Sequence, residues 1–158
     1  MVFARLVYNW TNDEMTKQAD VIVIAAPVVA THDTAERTFF PNVLQGSSRI
    51  PAVGVETTFK VLKVLKGDMK METFVFHHLR CSKPEDSLGL GVVAFDPKKK
   101  KGFLLYLKRE SGSRYSSVTG QTDANIGVRE LGENQMKLEG ILSLPFWDEN
   151  KGYFIQGF

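Results

Sequence analysis

The chain has 158 residues, 43% hydrophobic and 24% charged, with a formal net charge of +2. That size and balance predict one domain, 1–158, with enough apolar material for a filled core, and they exclude disorder as the main state. The low net charge makes no case for nucleic acid by itself, and a single cysteine, Cys81, excludes an intrachain disulfide and a cysteine-based zinc site.

The first residues, 1–8, lack the basic start and apolar stretch of a signal peptide, so a cytoplasmic protein or a chain trimmed of its leader is expected. Thr11-Asn12-Asp13-Glu14 matches a capping box, with Trp10 and Met15 placed as a hydrophobic staple, which predicts a short helix over 12–19. Val21-Ile22-Val23-Ile24 is β-branched throughout and reads as a buried strand, with Pro27 marking a bulge or an edge. The apolar run 21–30 is far shorter than the roughly 20 residues of a membrane-spanning helix. Residues 31–51, with Gly46, two prolines and several hydroxyls, read as a loop whose Phe39 and Phe40 pack back onto the barrel.

Residues 53–65 alternate as a strand, with Val53, Val55, Phe59 and Val61 on one face. After Val61 the apolar phase passes to Leu62 and Val64, the mark of a β-bulge in a bent strand. Lys66-Gly67-Asp68 supplies a turn, and 73–79 form the next strand. Residues 80–101 read as a second long loop. The segment 103–107 is a central strand, Glu110-Ser111-Gly112-Ser113 a hairpin turn, 115–119 its partner, and 125–131 one more strand. In the extension 132–158, a short helix over 134–144 and a strand over 153–156 are expected. Phe146, Trp147, Tyr153, Phe154 and Phe158 are too apolar for a free tail.

Four segments carry a resemblance. They are Ala19-Asp20-Val21-Ile22-Val23, Glu56-Thr57-Thr58-Phe59 running into Val64-Leu65-Lys66-Gly67-Asp68, Leu104-Leu105-Tyr106-Leu107, and Val118-Thr119-Gly120-Gln121-Thr122-Asp123. In this order, over about 19–131, the chain resembles bacterial proteins similar to the netrin-like modules, whose best-known members are the tissue inhibitors of metalloproteinases. The resemblance implies a mainly β fold, a small closed five-stranded barrel of the oligonucleotide/oligosaccharide-binding (OB) type with a short N-terminal helix, and often export. It does not carry the inhibitory activity, which in that family needs an N-terminal cysteine on the protease zinc; here the chain starts Met1-Val2-Phe3.

Candidate sites are few. His77 and His78 are neighbours on a strand and point to opposite faces, so with Cys81 they supply too few ligands for zinc, and His78 reads as a satisfied strand-end histidine. Lys98, Lys99, Lys100 and Lys101 follow the turn former Asp96-Pro97 and read as a solvated loop tip, the alternative being a grip on phosphate or an acidic surface. Gln121, Thr122 and Asp123 after Gly120 form the most distinctive polar cluster; a turn whose side chains bond nearby backbone is favoured over a ligand-facing loop. Gly89-Leu90-Gly91 lacks the context of a phosphate loop, Glu85-Asp86 has nothing to perturb it, and Asn9-Trp10-Thr11 is a glycosylation sequon of the kind that occurs by chance.

No catalytic group and no cofactor is expected. The leading functional expectation is an exported, non-catalytic module for a protein or glycan partner, bound at the two long loops. The alternative is single-stranded nucleic-acid binding on an OB scaffold, with Phe74, Phe76, Tyr106 and Tyr115 as stacking rings.

Overall fold

Thr11 caps helix α1 (Asn12–Gln18): its Oγ1 accepts the Glu14 amide, and the Glu14 carboxylate accepts the Thr11 amide, both at 3.1 Å. Met15, fully buried, packs with Ala19, Ile22, Tyr106, Val118 and the half-buried Trp10, as the staple pattern predicts. The far end of the helix is closed by Lys66, whose Nζ donates to the carbonyls of Thr16 (2.6 Å) and Ala19 (2.7 Å) that the helix leaves unpaired. The structure, a computed structural model, describes residues 8–45, 48–83, 94–138, 147–148 and 153–154.

The strands are β1 (Val21–Gln45), β2 (Ser48–Lys66), β3 (Thr73–Cys81), β4 (Gly102–Ser111), β5 (Arg114–Ser117) and β6 (Val128–Leu131), in one six-stranded sheet. β1 pairs antiparallel with β2 and, through residues 21–25, with β4, so β1-β2-β3-β5-β4 closes on itself as a ring of five strands. β3 and β5 make the one parallel pair of this sheet, and β6 extends it beyond β4. The ring encloses Val21, Val23, Ala25, Phe59, Phe74, Phe76, Phe95, Leu105, Leu107 and Tyr115. Past Ala25, β1 leaves β4 and runs on with β2 alone as its partner, while β2 keeps β3 on its other edge as far as Ala52; the end of this β1–β2 arm extends beyond β3.

The predicted bulge in β2 is present. Ile24 pairs with Lys63 and Ala25 with Val61, which leaves Leu62 as the extra residue; it packs beside Ile24 and Met136 instead of in the ring. Val64 does not join an apolar face: it is 37% exposed. Pro27 stands at a further register shift, before Val29.

Residues 31–51 are not a loop. All the described residues of this stretch belong to the β1–β2 arm. Their turn-forming composition misleads because register shifts absorb it: between Phe39 and Leu44 the chain passes Pro41 and Asn42, the latter in the left-handed region at φ 57°. The arm also has its own core of Phe40, Val43, Ile50 and Ala52 against Leu79 and Cys81 of β3. Phe40 therefore folds back as expected, but onto this second cluster, and Phe39 stays 47% exposed.

Smaller boundaries also move. Arg80 and Cys81 complete β3, Pro97–Lys99 form a 3-10 turn, and Glu110 and Ser111 belong to β4, which leaves Gly112 and Ser113 to turn the hairpin. The strand expected over 125–131 is a 3-10 turn (Ala124–Gly127) followed by β6. Helix α2 (Glu133–Leu138) starts the expected 134–144 helix one residue early, and β7 (Trp147–Asp148) pairs with β8 (Tyr153–Phe154). The packing of the five tail aromatics lies outside the described residues, as do Glu85-Asp86 and Gly89-Leu90-Gly91. Among the described residues, no helix is long and apolar enough to cross a membrane.

Asp20 ties helix, turn and ring together. Its Oδ2 accepts the Arg109 amide at 2.9 Å, and this bond, with Lys108 beside it, holds the carboxyl below the ordinary carboxylate range. A depressed folded value means stability present above the ordinary carboxyl value of about 3.9 and lost as pH falls further. We expect Asp20→Asn to remove part of the acid sensitivity below about pH 4 while leaving the shape of the stability curve above about pH 6 as it is in the unsubstituted protein. Urea midpoints measured across that range check this; an unchanged acid limb would contradict it.

Candidate functional site

The polar cluster Gly120-Gln121-Thr122-Asp123 follows β5 at one end of the ring. Gly120, at φ 80°, lets the chain reverse there. The Thr119 hydroxyl donates to the Asp123 carbonyl at 2.6 Å, a local turn bond of the expected kind but made by Thr119. Thr122 instead donates to the Pro41 carbonyl on the arm (2.9 Å), and the Gln121 amide donates to the His77 carbonyl on β3 (3.2 Å). The loop is thus a tie between ring and arm, built from residues far apart in sequence.

That tie forms one wall of a shallow cleft of about 280 Å³, with Pro41, Asn42 and Val43 of the arm, and Tyr8 and Trp10 before α1. The two rings meet edge to face at 5.1 Å, and Tyr8 is 58% exposed. The Tyr8 hydroxyl donates to Glu14 Oε1 (3.0 Å), and that hydrogen bond pushes the phenol above its ordinary value. An exposed tyrosine ring backed by a half-buried tryptophan, beside an array of amides and hydroxyls, can stack on an apolar face and hydrogen-bond its polar edge at once.

The lysine run does not converge. Asp96 Oδ1 accepts the Lys98 amide (2.9 Å), and Pro97–Lys99 turns the chain. Lys100 takes the left-handed region at φ 51°, and Lys101 lies 3.2 Å from Glu130 with both side chains more than half exposed. Lys98, Lys99 and Lys101 are exposed and Lys100 half-buried, the arrangement of a surface turn.

His78 is fully buried in mid-strand, not at a strand end, and packs against Phe76 (5.3 Å) and Phe95 (6.2 Å). His77 faces outward, as alternation requires, and is the residue that spacing alone passed over. Its Nε2 lies 2.7 Å from Glu36 Oε2 and its Nδ1 2.8 Å from Glu110 Oε1, while the residue is only 6% exposed. Arg114 joins Glu110 (2.9 Å), Glu36 (3.4 Å) and Glu56 (3.8 Å) to the same cluster. Four strands besides β3 contribute to it. The one trace in the sequence was Gly54, a glycine inside a strand pattern, which signals close approach of another group.

Among the described residues, no three His, Cys, Asp or Glu side chains gather to hold a metal ion. Phe74, Phe76, Tyr106 and Tyr115 are all buried, at 7% exposure or less, so none of the expected stacking rings is available to a nucleic-acid base. No protein-family model matches the chain, and no curated protein matches it significantly.

Proposed function

We propose that this chain is a non-catalytic binding module on an OB-type barrel, with its protein or glycan partner held in the cleft between Tyr8, Trp10, the arm and the 119–123 loop. The single observation that carries the reading is that cleft: the exposed Tyr8 ring, set edge to face on half-buried Trp10, lines it together with Asn42, Thr122 and Asp123. The barrel assignment draws support from the strand order β1-β2-β3-β5-β4 closing back on β1, with β3 and β5 parallel, the order expected of a five-stranded Greek-key ring. OB barrels bind at loops of this kind, and the netrin-like resemblance over 19–131 points the same way and brings extracytoplasmic placement with it. The cleft is small, so it suits one or two sugar rings or a short stretch of a protein surface, read by stacking and hydrogen bonds together.

The test is a screen of immobilised glycans and peptides with the full chain, followed by titration of the best probe. Tyr8→Ala should weaken binding by about tenfold or more, since one exposed aromatic anchor is worth at least about 1.4 kcal/mol at a hot spot. Lys99→Ala, on the solvated turn, should leave affinity unchanged. Binding that ignores Tyr8→Ala, or a full screen without a binder, would defeat the reading.

A further inference from the structure

Glu36 sits where β1 and β2 lose register. Between the pairs Asp33–Val55 and Arg37–Val53, β1 carries residues 34–36 against the single Gly54 of β2. The bulge is held by three sets of bonds. Thr34 Oγ1 donates to the Gly54 carbonyl (2.7 Å), the Glu36 amide donates to Thr34 Oγ1 (3.2 Å), and Arg37 donates to the carbonyls of Thr34 (2.8 Å) and Glu36 (2.9 Å). It sends the Glu36 side chain back across β2 toward β3. A Cβ on Gly54 would lie 1.9 Å from Glu36 Oε2 and 2.7 Å from its Cδ, so the passage exists only because residue 54 is glycine.

At the end of that passage stands the His77 ring, with Glu36 on one nitrogen and Glu110 of β4 on the other. An ionised carboxylate can only accept, so both contacts are hydrogen bonds only when both ring nitrogens carry hydrogen, which is the imidazolium. The remaining charged groups of the cluster are Glu56 from β2, which pairs with His77 in the register, and Arg114 from β5. Three carboxylates then face one guanidinium and one imidazolium. Loss of the imidazole proton to water removes one donor, turns a ring lone pair against a carboxylate, and leaves the cluster one charge more negative.

We propose that His77 is a proton-operated latch between the arm and the ring: its imidazolium straps the β1 bulge to β4, and the neutral ring lets Glu36 go. Glu36 is the partner released, because it is the more exposed of the two carboxylates, 36% against 28%, and it rides on β1, which past Ala25 pairs with β2 on one edge only. The same strand residue also accepts Gln121 through its carbonyl, so the latch adjoins the loop that ties to Pro41. The latch does not depend on what the cleft binds.

Nitrogen NMR of the full chain reads the ring directly. At about pH 5 both His77 nitrogens should show attached hydrogens, the one state in which both carboxylate contacts are hydrogen bonds. Raised to about pH 8.5, hydrogen exchange in 34–45, corrected for intrinsic rates, should quicken by about tenfold or more as the strap opens. His32→Gln, which removes the arm's own histidine, should keep this response, and Glu36→Gln should abolish it. A His77 ring with one protonated nitrogen at about pH 5, or arm exchange equal at both pH values, would overturn the latch. The ring measurement needs no variant, so it decides even where Glu36→Gln fails to fold.

Discussion

Phe59→Ala is expected to cost roughly 3–5 kcal/mol, the largest loss of any single truncation in the ring. Phe59 has no exposed surface and stands at the middle of β2, where its ring meets four others. Phe95 lies at 4.9 Å, Phe74 at 5.6 Å, Phe76 at 6.1 Å and Phe103 at 6.3 Å, all edge to face except the stacked Phe74. These four rings come from β3, β4 and the segment before Pro97, so none can collapse into the hole without moving its backbone. Against a total stability of about 5–15 kcal/mol for a domain, the variant will be marginal. Urea unfolding should show a large fall in midpoint with little change in slope. A loss below about 1 kcal/mol would mean that the ring interior is not packed around Phe59.

Gly67→Ala should cost about 3 kcal/mol or more, against about 1–2 kcal/mol for Gly112→Ala. Both glycines turn the chain at positive φ, 85° and 56°, and both would strain any other residue. They differ in what an added methyl meets. At Gly112 nothing lies within 4 Å, whereas at Gly67 the Cβ would sit 2.2 Å from the Asp20 carbonyl oxygen. Backbone cannot yield there cheaply: the Asp20 amide donates to the Leu107 carbonyl (2.8 Å), and its carboxylate holds the Arg109 amide. Thermal unfolding of the two variants side by side separates strain at a turn from collision with the ring. Equal losses would show that Asp20 can move aside.

What could be read in advance follows the range of the interaction. The Thr11–Glu14 box, the buried 21–24 run, the extra residue at Leu62 and the Lys66-Gly67-Asp68 turn are each settled within a few neighbouring residues, and each is found where the pattern puts it. Residues 31–51 were illegible for the opposite reason. Proline, asparagine and hydroxyl side chains favour turns in isolation, but in the arm Thr31 is spent on Thr57 and the Phe95 amide, and Thr34 on the Gly54 carbonyl. Pairing with β2 and burial of Phe40 and Ile50 outweigh the local preference.

The sequence by itself determined a one-cysteine, mainly β chain with a capped helix, a bulged second strand and a glycine turn, because capping, alternation and positive φ act between near neighbours. Only the tertiary structure decided which strands close the ring, that Tyr8 and Trp10 face the 119–123 loop, and that His77 lies between Glu36 and Glu110, 41 and 33 residues away. No spacing rule connects residues so distant. Their meeting depends on a bulge in one strand, the missing side chain of Gly54 in the next, and the register that sets Glu56 beside His77, and those are properties of paired strands.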